Sequence, residues 1–150
     1  MNKLLVEGYA SIFNEVDSHN DKILPGAYTK CLKLIEKFNY TIPIFLEHNE
    51  TLIIGKVVKF TQNKKGLWIR AEIFDPIHAP RIQNVLDNGI ALGLSIGYTA
   101  AAVNWIDENH KNYATFTDEQ RNITDVHLHE VSIVKWPSNS HCVAKKSKKQ

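Results

Sequence analysis

A mainly β domain carrying two helices is what this chain's pattern predicts, an α+β class built as a small closed β-barrel or curled sheet that carries the helices. Three observations lead there. Strand-like segments outnumber helical ones by about six to two once periodicity is read along the chain. Clusters of Asn, Asp, Gly and Pro, as from Asn14 to Gly26, separate these segments. The chain has 150 residues, enough for one hydrophobic core without covalent staples.

The first strand is Leu4 to Phe13, β-rich and partly alternating. Asn14 to Gly26 is dense in Asp, Asn, Ser, Pro and Gly and is expected to be a loop. From Ala27 to Phe38, Tyr28, Cys31, Leu32, Leu34, Ile35 and Phe38 recur at helical spacing and predict an amphipathic helix. Ile42 to Leu46 is a short apolar run, expected as a buried strand that delivers His48 just past its end. Ile53 to Phe60 and Leu67 to Phe74 form a strand pair around the polar turn Thr61-Gln62-Asn63-Lys64-Lys65-Gly66. Pro76 to Asn88 predicts a second helix, striped by Ile77, Ile82, Val85 and Leu86 and stopped by Gly89. Ile90 to Trp105 is long, apolar and rich in small residues, and reads mainly as strand. Asn104 to Asn122 is polar and reads as a surface excursion or β-ribbon, and Ile123 to Trp136 is the last strong strand.

Composition narrows the class further. An apolar share of 43% and a charged share of 23% are those of an ordinary globular protein. The net charge of +2 gives no global field for nucleic acid. Lys145, Lys146, Lys148 and Lys149 crowd the end, so residues 1–144 are expected as the domain and 145–150 as a basic flexible tail. Cys31 and Cys142 have neither metal-like nor redox spacing, which favours a reducing compartment. No run approaches the roughly 20 apolar residues of a membrane span, and no secretory signal pattern opens the chain.

Gly93-Leu94-Ser95-Ile96-Gly97 sets one serine between small residues and apolar flanks, where a substrate backbone can approach. A serine hydroxyl is a poor nucleophile until a neighbouring base takes its proton. Histidine suits that task, and His48 in Phe45-Leu46-Glu47-His48-Asn49 follows a strand, where a rigid scaffold presents reactive side chains. Glu130 lies in a stripe that is otherwise mostly apolar, Val126, Leu128, Glu130, Ser132 and Val134. A carboxylate buried there needs a partner, either an imidazolium formed during catalysis or a structural arginine or lysine. His127 and His129 fall on the opposite face and, with His48, have the residue types of a zinc site. No cysteine or acidic cluster accompanies them, so neither metal nor cofactor is expected. The letters G-x-S-x-G also match a nucleophile elbow, but Ile96-Gly97-Tyr98-Thr99 continues as strand where that elbow needs a helix.

Four blocks carry a resemblance. They are Gly8-Tyr9-Ala10-Ser11-Ile12-Phe13 with Asp21 to Tyr28; Ile42 to Asn49 with Ile54-Gly55; Gly89-Ile90 with Leu94 to Tyr98; and Leu128 to Val134 closing in Trp136-Pro137-Ser138-Asn139. In this order they resemble the prohead, or capsid-maturation, serine proteases of tailed bacteriophages. The resemblance implies an assemblin-like fold, similar to the herpesvirus enzymes: a β-barrel core with helices around it. It implies cleavage of scaffold protein, or of the scaffolding segment of the major capsid protein, inside the immature prohead in the host bacterial cytoplasm. Self-processing and a homodimer are implied as well. His48 matches the family's histidine and Ser95 its serine. Glu130 matches the acidic position of the last block, whereas assemblins use a second histidine, which keeps His129 as the alternative third member. The family's closing Pro-Ala-Asn is Pro137-Ser138-Asn139 here.

A rival reading is a non-enzymatic β-barrel that binds nucleic acid or protein. It rests on the basic end and on Trp68 and Arg70, which share a strand face. That support is thin, and neither nucleic acid nor membrane is expected as a partner.

Overall fold

Period-two burial is clearest in two strands of this molecule, whose computed structural model describes residues 3–105 and 120–148. In β1 (Leu4–Ile12), Leu4, Val6 and Ala10 are buried while Leu5, Glu7 and Tyr9 keep partial exposure. In β5 (Gly66–Ile73), Leu67, Ile69, Ala71 and Ile73 are fully buried and alternate with Trp68, Arg70 and Glu72. Side chains that alternate across a pleat give one face to the core and the other to the surroundings.

The other strands are β2 (Asp21–Ile23), β3 (Pro43–Leu46), β4 (Asn49–Gln62), β6 (Leu92–Trp105), β7 (Arg121–Val134) and β8 (Val143–Lys146). Neighbours run β7-β3-β4-β5-β1-β8-β6, and β6 pairs back onto β7. Seven strands therefore close a barrel, and β2 adds alongside β7 as an eighth. Among the described residues, only the pairings of β2 and β3 with β7 are parallel. Closure removes the exposed edges that an open sheet of these strands would present. Helix α1 (Thr29–Phe38) packs on β7 and α2 (His78–Asp87) on β8.

The expected class and architecture hold, and the differences are local. The stretch expected as loop, Asn14 to Gly26, contains β2, whose three residues are too short to show a period. Asn14 and Asn20 take φ of 64° and 61° around it, the left-handed turns that the polar composition announced. Helix α1 starts at Thr29 rather than Ala27, after a turn closed by Thr29 N–H donating to the Gly26 carbonyl. Tyr28 and Cys31 are buried and Leu32 and Ile35 pack against the core, but Leu34 and Phe38 lie exposed on the flank of the stripe. Helix α2 starts at His78 rather than Pro76, because the Asp75 carboxylate accepts the N–H groups of Ile77 and His78 at 3.1 and 2.8 Å. Strand β4 begins earlier than expected, at Asn49.

At the C-terminal end Lys145 and Lys146 continue β8, opposite Glu7 and Val6 of β1, where composition alone pointed to a tail. Acidic Glu7 faces Lys145 there, a cross-strand pair of opposite charge. The surface excursion expected at 104–122 falls mostly outside the described residues. Within them, β6 runs on to Trp105 and β7 starts at Arg121. No helix among the described residues is long and apolar enough to cross a membrane.

Candidate active site

Leu46 and Asn49 face each other across the β3–β4 hairpin, so Glu47 and His48 alone make the turn. Their φ values of 52° and 57° place both in the left-handed region. A two-residue turn with positive φ at both positions matches the twist of a hairpin, and Asn-Gly is the usual solution. For residues with a Cβ that conformation costs about 1–2 kcal/mol each. The end of β7 holds the turn in place. Glu47 N–H donates to the Ile133 carbonyl at 3.0 Å, Glu47 Oε1 accepts the Lys135 N–H at 2.6 Å, and His48 N–H donates to Ser132 Oγ at 3.1 Å. His48 is thus fixed in a strained turn, not carried on a loose polar segment.

Ser95 arrives from the other flank of β7. Register pairs Ser95 with Ser132 and Gly97 with Glu130 across β6 and β7. The next pair is Tyr98 with Leu128, so β7 spends two residues against one at His129. A bulge of this kind re-aims the side chains beside it. Glu130 lies flat against β6 at Gly97, where any Cβ would overlap its carboxylate.

The three elements meet at the imidazole. His48 Nδ1 is 2.5 Å from Glu130 Oε1, and His48 Nε2 is 3.2 Å from Ser95 Oγ. Glu130, as a carboxylate, can only accept, so Nδ1 carries the proton and Nε2 is left to accept from the serine hydroxyl. Ser95 and Glu130 are each only 6% exposed, whereas the His48 side chain is 43% exposed. The ring therefore stands between a buried acid and an open cleft. Glu130 Oε2 accepts the Ser132 hydroxyl at 2.6 Å, so both acid oxygens are engaged. The arrangement can draw a proton from Ser95 and hold the resulting positive charge on the ring.

His129 is placed elsewhere. It is exposed, with Nε2 2.7 Å from Thr99 Oγ1 and its ring 4.9 Å from that of His127. The structure brings Ser95, His48 and Glu130 together and leaves His129 outside that group. Among the described residues, no three His, Cys, Asp or Glu are grouped to hold a metal. Trp68 and Arg70 stack at 5.2 Å, but Arg70 Nε is 3.4 Å from Glu7 Oε1, a pairing internal to the β1–β5 surface.

The cleft before Ser95 has a volume of about 570 Å³, and Asp17, Asp21, Tyr98 and Arg121 line it beside His48. Arg121 grips Asp21 through Nε at 2.7 Å and Nη2 at 2.8 Å, and Tyr98 donates its hydroxyl at 2.9 Å. Burial pushes the Asp21 carboxyl up, but Arg121 and Tyr98 outweigh it and hold its pKa below the ordinary 3.8. Burial raises the Asp17 carboxyl, against hydrogen bonds from the His19 and Asp21 N–H groups. Sequence reasoning did not single out Ser132, Gly97's contact with the acid, or the Asp21–Arg121–Tyr98 group. Ser132 had a signal, since strand alternation places it two residues from Glu130 on the same face.

A family model described as caudovirus prohead serine protease matches residues 1–150. The prohead protease of Enterobacteria phage HK97 is 30% identical over 141 residues, covering 90% of this chain and 56% of that protein. The chain thus spans little more than half the length of that relative. Among solved structures, the capsid assembly protease of bacteriophage T4 has a TM-score of 0.65 at 14% identity, over 90% of this chain and 84% of its own. The varicella-zoster virus protease has a TM-score of 0.57 at 12% identity, over 98% of this chain and 65% of its own. At such identities the two structures speak for the fold alone.

Proposed function

Because the chain belongs to the caudovirus prohead serine protease family, we propose that it is a serine endopeptidase of phage prohead maturation, with Ser95 as nucleophile, His48 as base and Glu130 as the third member. One observation carries this reading: a single imidazole bonded at one nitrogen to a buried carboxylate and at the other to a hydroxyl on the cleft. His48 Nε2 takes the Ser95 proton as Oγ attacks a peptide carbonyl, forming a C–O bond and a tetrahedral oxyanion. The same proton passes to the leaving amine as the C–N bond breaks. Water then attacks the acyl-enzyme, losing a proton to His48, and the acid product leaves as Ser95 regains its hydrogen. Glu130 keeps the ring in the working tautomer and stabilises the imidazolium, the role of the acid in such triads.

The proposed substrate is scaffold protein, or the scaffolding segment of the major capsid protein, within the immature shell in the host cytoplasm. The family and the relative named a prohead protease support the prohead setting, and self-processing and a homodimer are proposed as parts of the same reading.

The test is co-expression of the phage capsid precursor with wild type or Ser95→Ala, followed by intact mass measurement. Cleavage with wild type alone is expected, and His48→Ala should behave as Ser95→Ala does. Equal cutting in both samples would remove Ser95 from the mechanism.

A further inference from the structure

We infer that Ser132 is a positioning residue for the reaction proposed above, one hydroxyl that ties the acid and the base into a closed circuit. This inference rests on that reading of Ser95, His48 and Glu130. Ser132 is fully buried, at 0% exposure, in the β7 position opposite Ser95. A serine hydroxyl has one proton to give and two lone pairs to receive with. The proton goes to Glu130 Oε2 at 2.6 Å, and the oxygen receives the backbone N–H of His48 at 3.1 Å.

The path closes on itself. From Ser132 Oγ it runs to Glu130 Oε2, through the carboxylate to Oε1, and on to His48 Nδ1. It then passes through the residue to its own N–H and returns to Ser132. Two consequences follow. With both oxygens held, the carboxylate cannot turn about its last bond without breaking one of the two contacts. And the backbone of the strained turn is pinned by the same atom that orients the acid, so ring and carboxylate keep a common reference.

Fluorophosphonate labelling of Ser95 tests this without knowledge of the cleavage site, since the reagent reports how readily the serine is activated. Ser132→Ala is expected to lower the labelling rate about a hundredfold, the scale of a displacement near 1 Å in a catalytic group. Alanine also strips the His48 N–H of its acceptor. Ser132→Cys, which fills the position with a slightly larger side chain and offers only a weak donor, is therefore run beside it with thermal melts of both. The cysteine variant should stay folded and still lose at least about tenfold in rate, the scale of one net hydrogen bond.

The decisive readout is coupling. In a Glu130→Ala background, adding Ser132→Ala should cost less than about threefold, because the group it positions has gone. A folded Ser132→Cys protein labelled at the wild-type rate would overturn the proposal. So would a Ser132→Ala loss that multiplies in full on top of Glu130→Ala. A wild type whose Ser95 is not labelled sinks the protease reading and this one with it, whereas a labelled wild type with either of those results sinks this one alone.

Discussion

Two buried carboxylates stand near one cleft, and they make a useful comparison. Glu130 is 6% exposed and Asp21 is 4% exposed, and each has both oxygens engaged. Asp21 ends in a guanidinium and a phenol, a closed set that neutralises the charge and joins β2 to β7 and β6. Glu130 ends in an imidazole whose far nitrogen reaches a hydroxyl on the cleft. Burial and pairing are common to both and so do not mark function. What separates them is whether the chain of hydrogen bonds stops at a fixed charge or continues to an atom that can react.

Substitutions that break one network and spare the other sharpen this contrast. The largest effect is expected from Glu130→Gln, whose amide cannot serve both Nδ1–H and the Ser132 hydroxyl as acceptors. Peptide cleavage should fall on the order of 10⁴-fold, as when the acid of such a triad becomes an amide. Steady-state kinetics with circular dichroism checks it, and a loss below tenfold would demote the acid. Gly97→Ala comes next: its methyl displaces the Glu130 carboxylate while leaving the β6–β7 ladder intact. About a hundredfold loss of rate in a protein that still folds is expected, and a wild-type rate would show that the acid tolerates the shift.

On the structural side, Arg121→Gln should cost about 2 kcal/mol of stability, because a charge-assisted hydrogen-bond pair is lost from a buried acid. The cleavage rate well below melting should change little by comparison. The pH dependence has a definite sign. Asp21 has its pKa lowered in the folded state, so its stabilisation is present above the ordinary 3.8 and is lost as pH falls below it. Urea titrations at about pH 7 and about pH 3 should therefore show a difference between wild type and variant that shrinks in acid. The smallest effect concerns Cys142, another residue of the cleft wall. Burial pushes its thiol up to about 12, so iodoacetamide at neutral pH should leave it unmodified until the protein unfolds. Rapid native-state alkylation would show a more open wall.

How much of this was legible depends on the range of the interaction. The strands with clear alternation, such as Leu67 to Ile73, follow from their own residues. So does the apolar stripe through Tyr28, Cys31, Leu32 and Ile35. Strand β8 was not legible, because four residues have no period and their pairing depends on β1 and β6 across the chain. The lysines at 145 and 146 read as tail by composition and became strand by pairing with β1. In the site, Ser95 and His48 stood out by residue type and setting, and Glu130 by its place in a largely apolar stripe. The choice between Glu130 and His129 turned on which face of β7 each occupies and on a bulge, which is a matter of register. The hairpin at Glu47 and His48 could not be foreseen from propensity, since glutamate has no preference for positive φ and Asn-Gly is the usual pair in such a turn. Contacts with Ile133, Ser132 and Lys135 impose it.

Strand β7 is bonded along one side to β3, beside the turn that holds His48, and along the other to β6, which carries Ser95. The backbones that carry Ser95 and His48 can separate only if one of these ladders opens, and both belong to the closed ring. Amide hydrogens around Ser95 and from Val131 to Ile133 should then exchange with solvent through global unfolding alone, among the slowest in the molecule. The backbone of the site therefore shares the lifetime of the barrel that carries it.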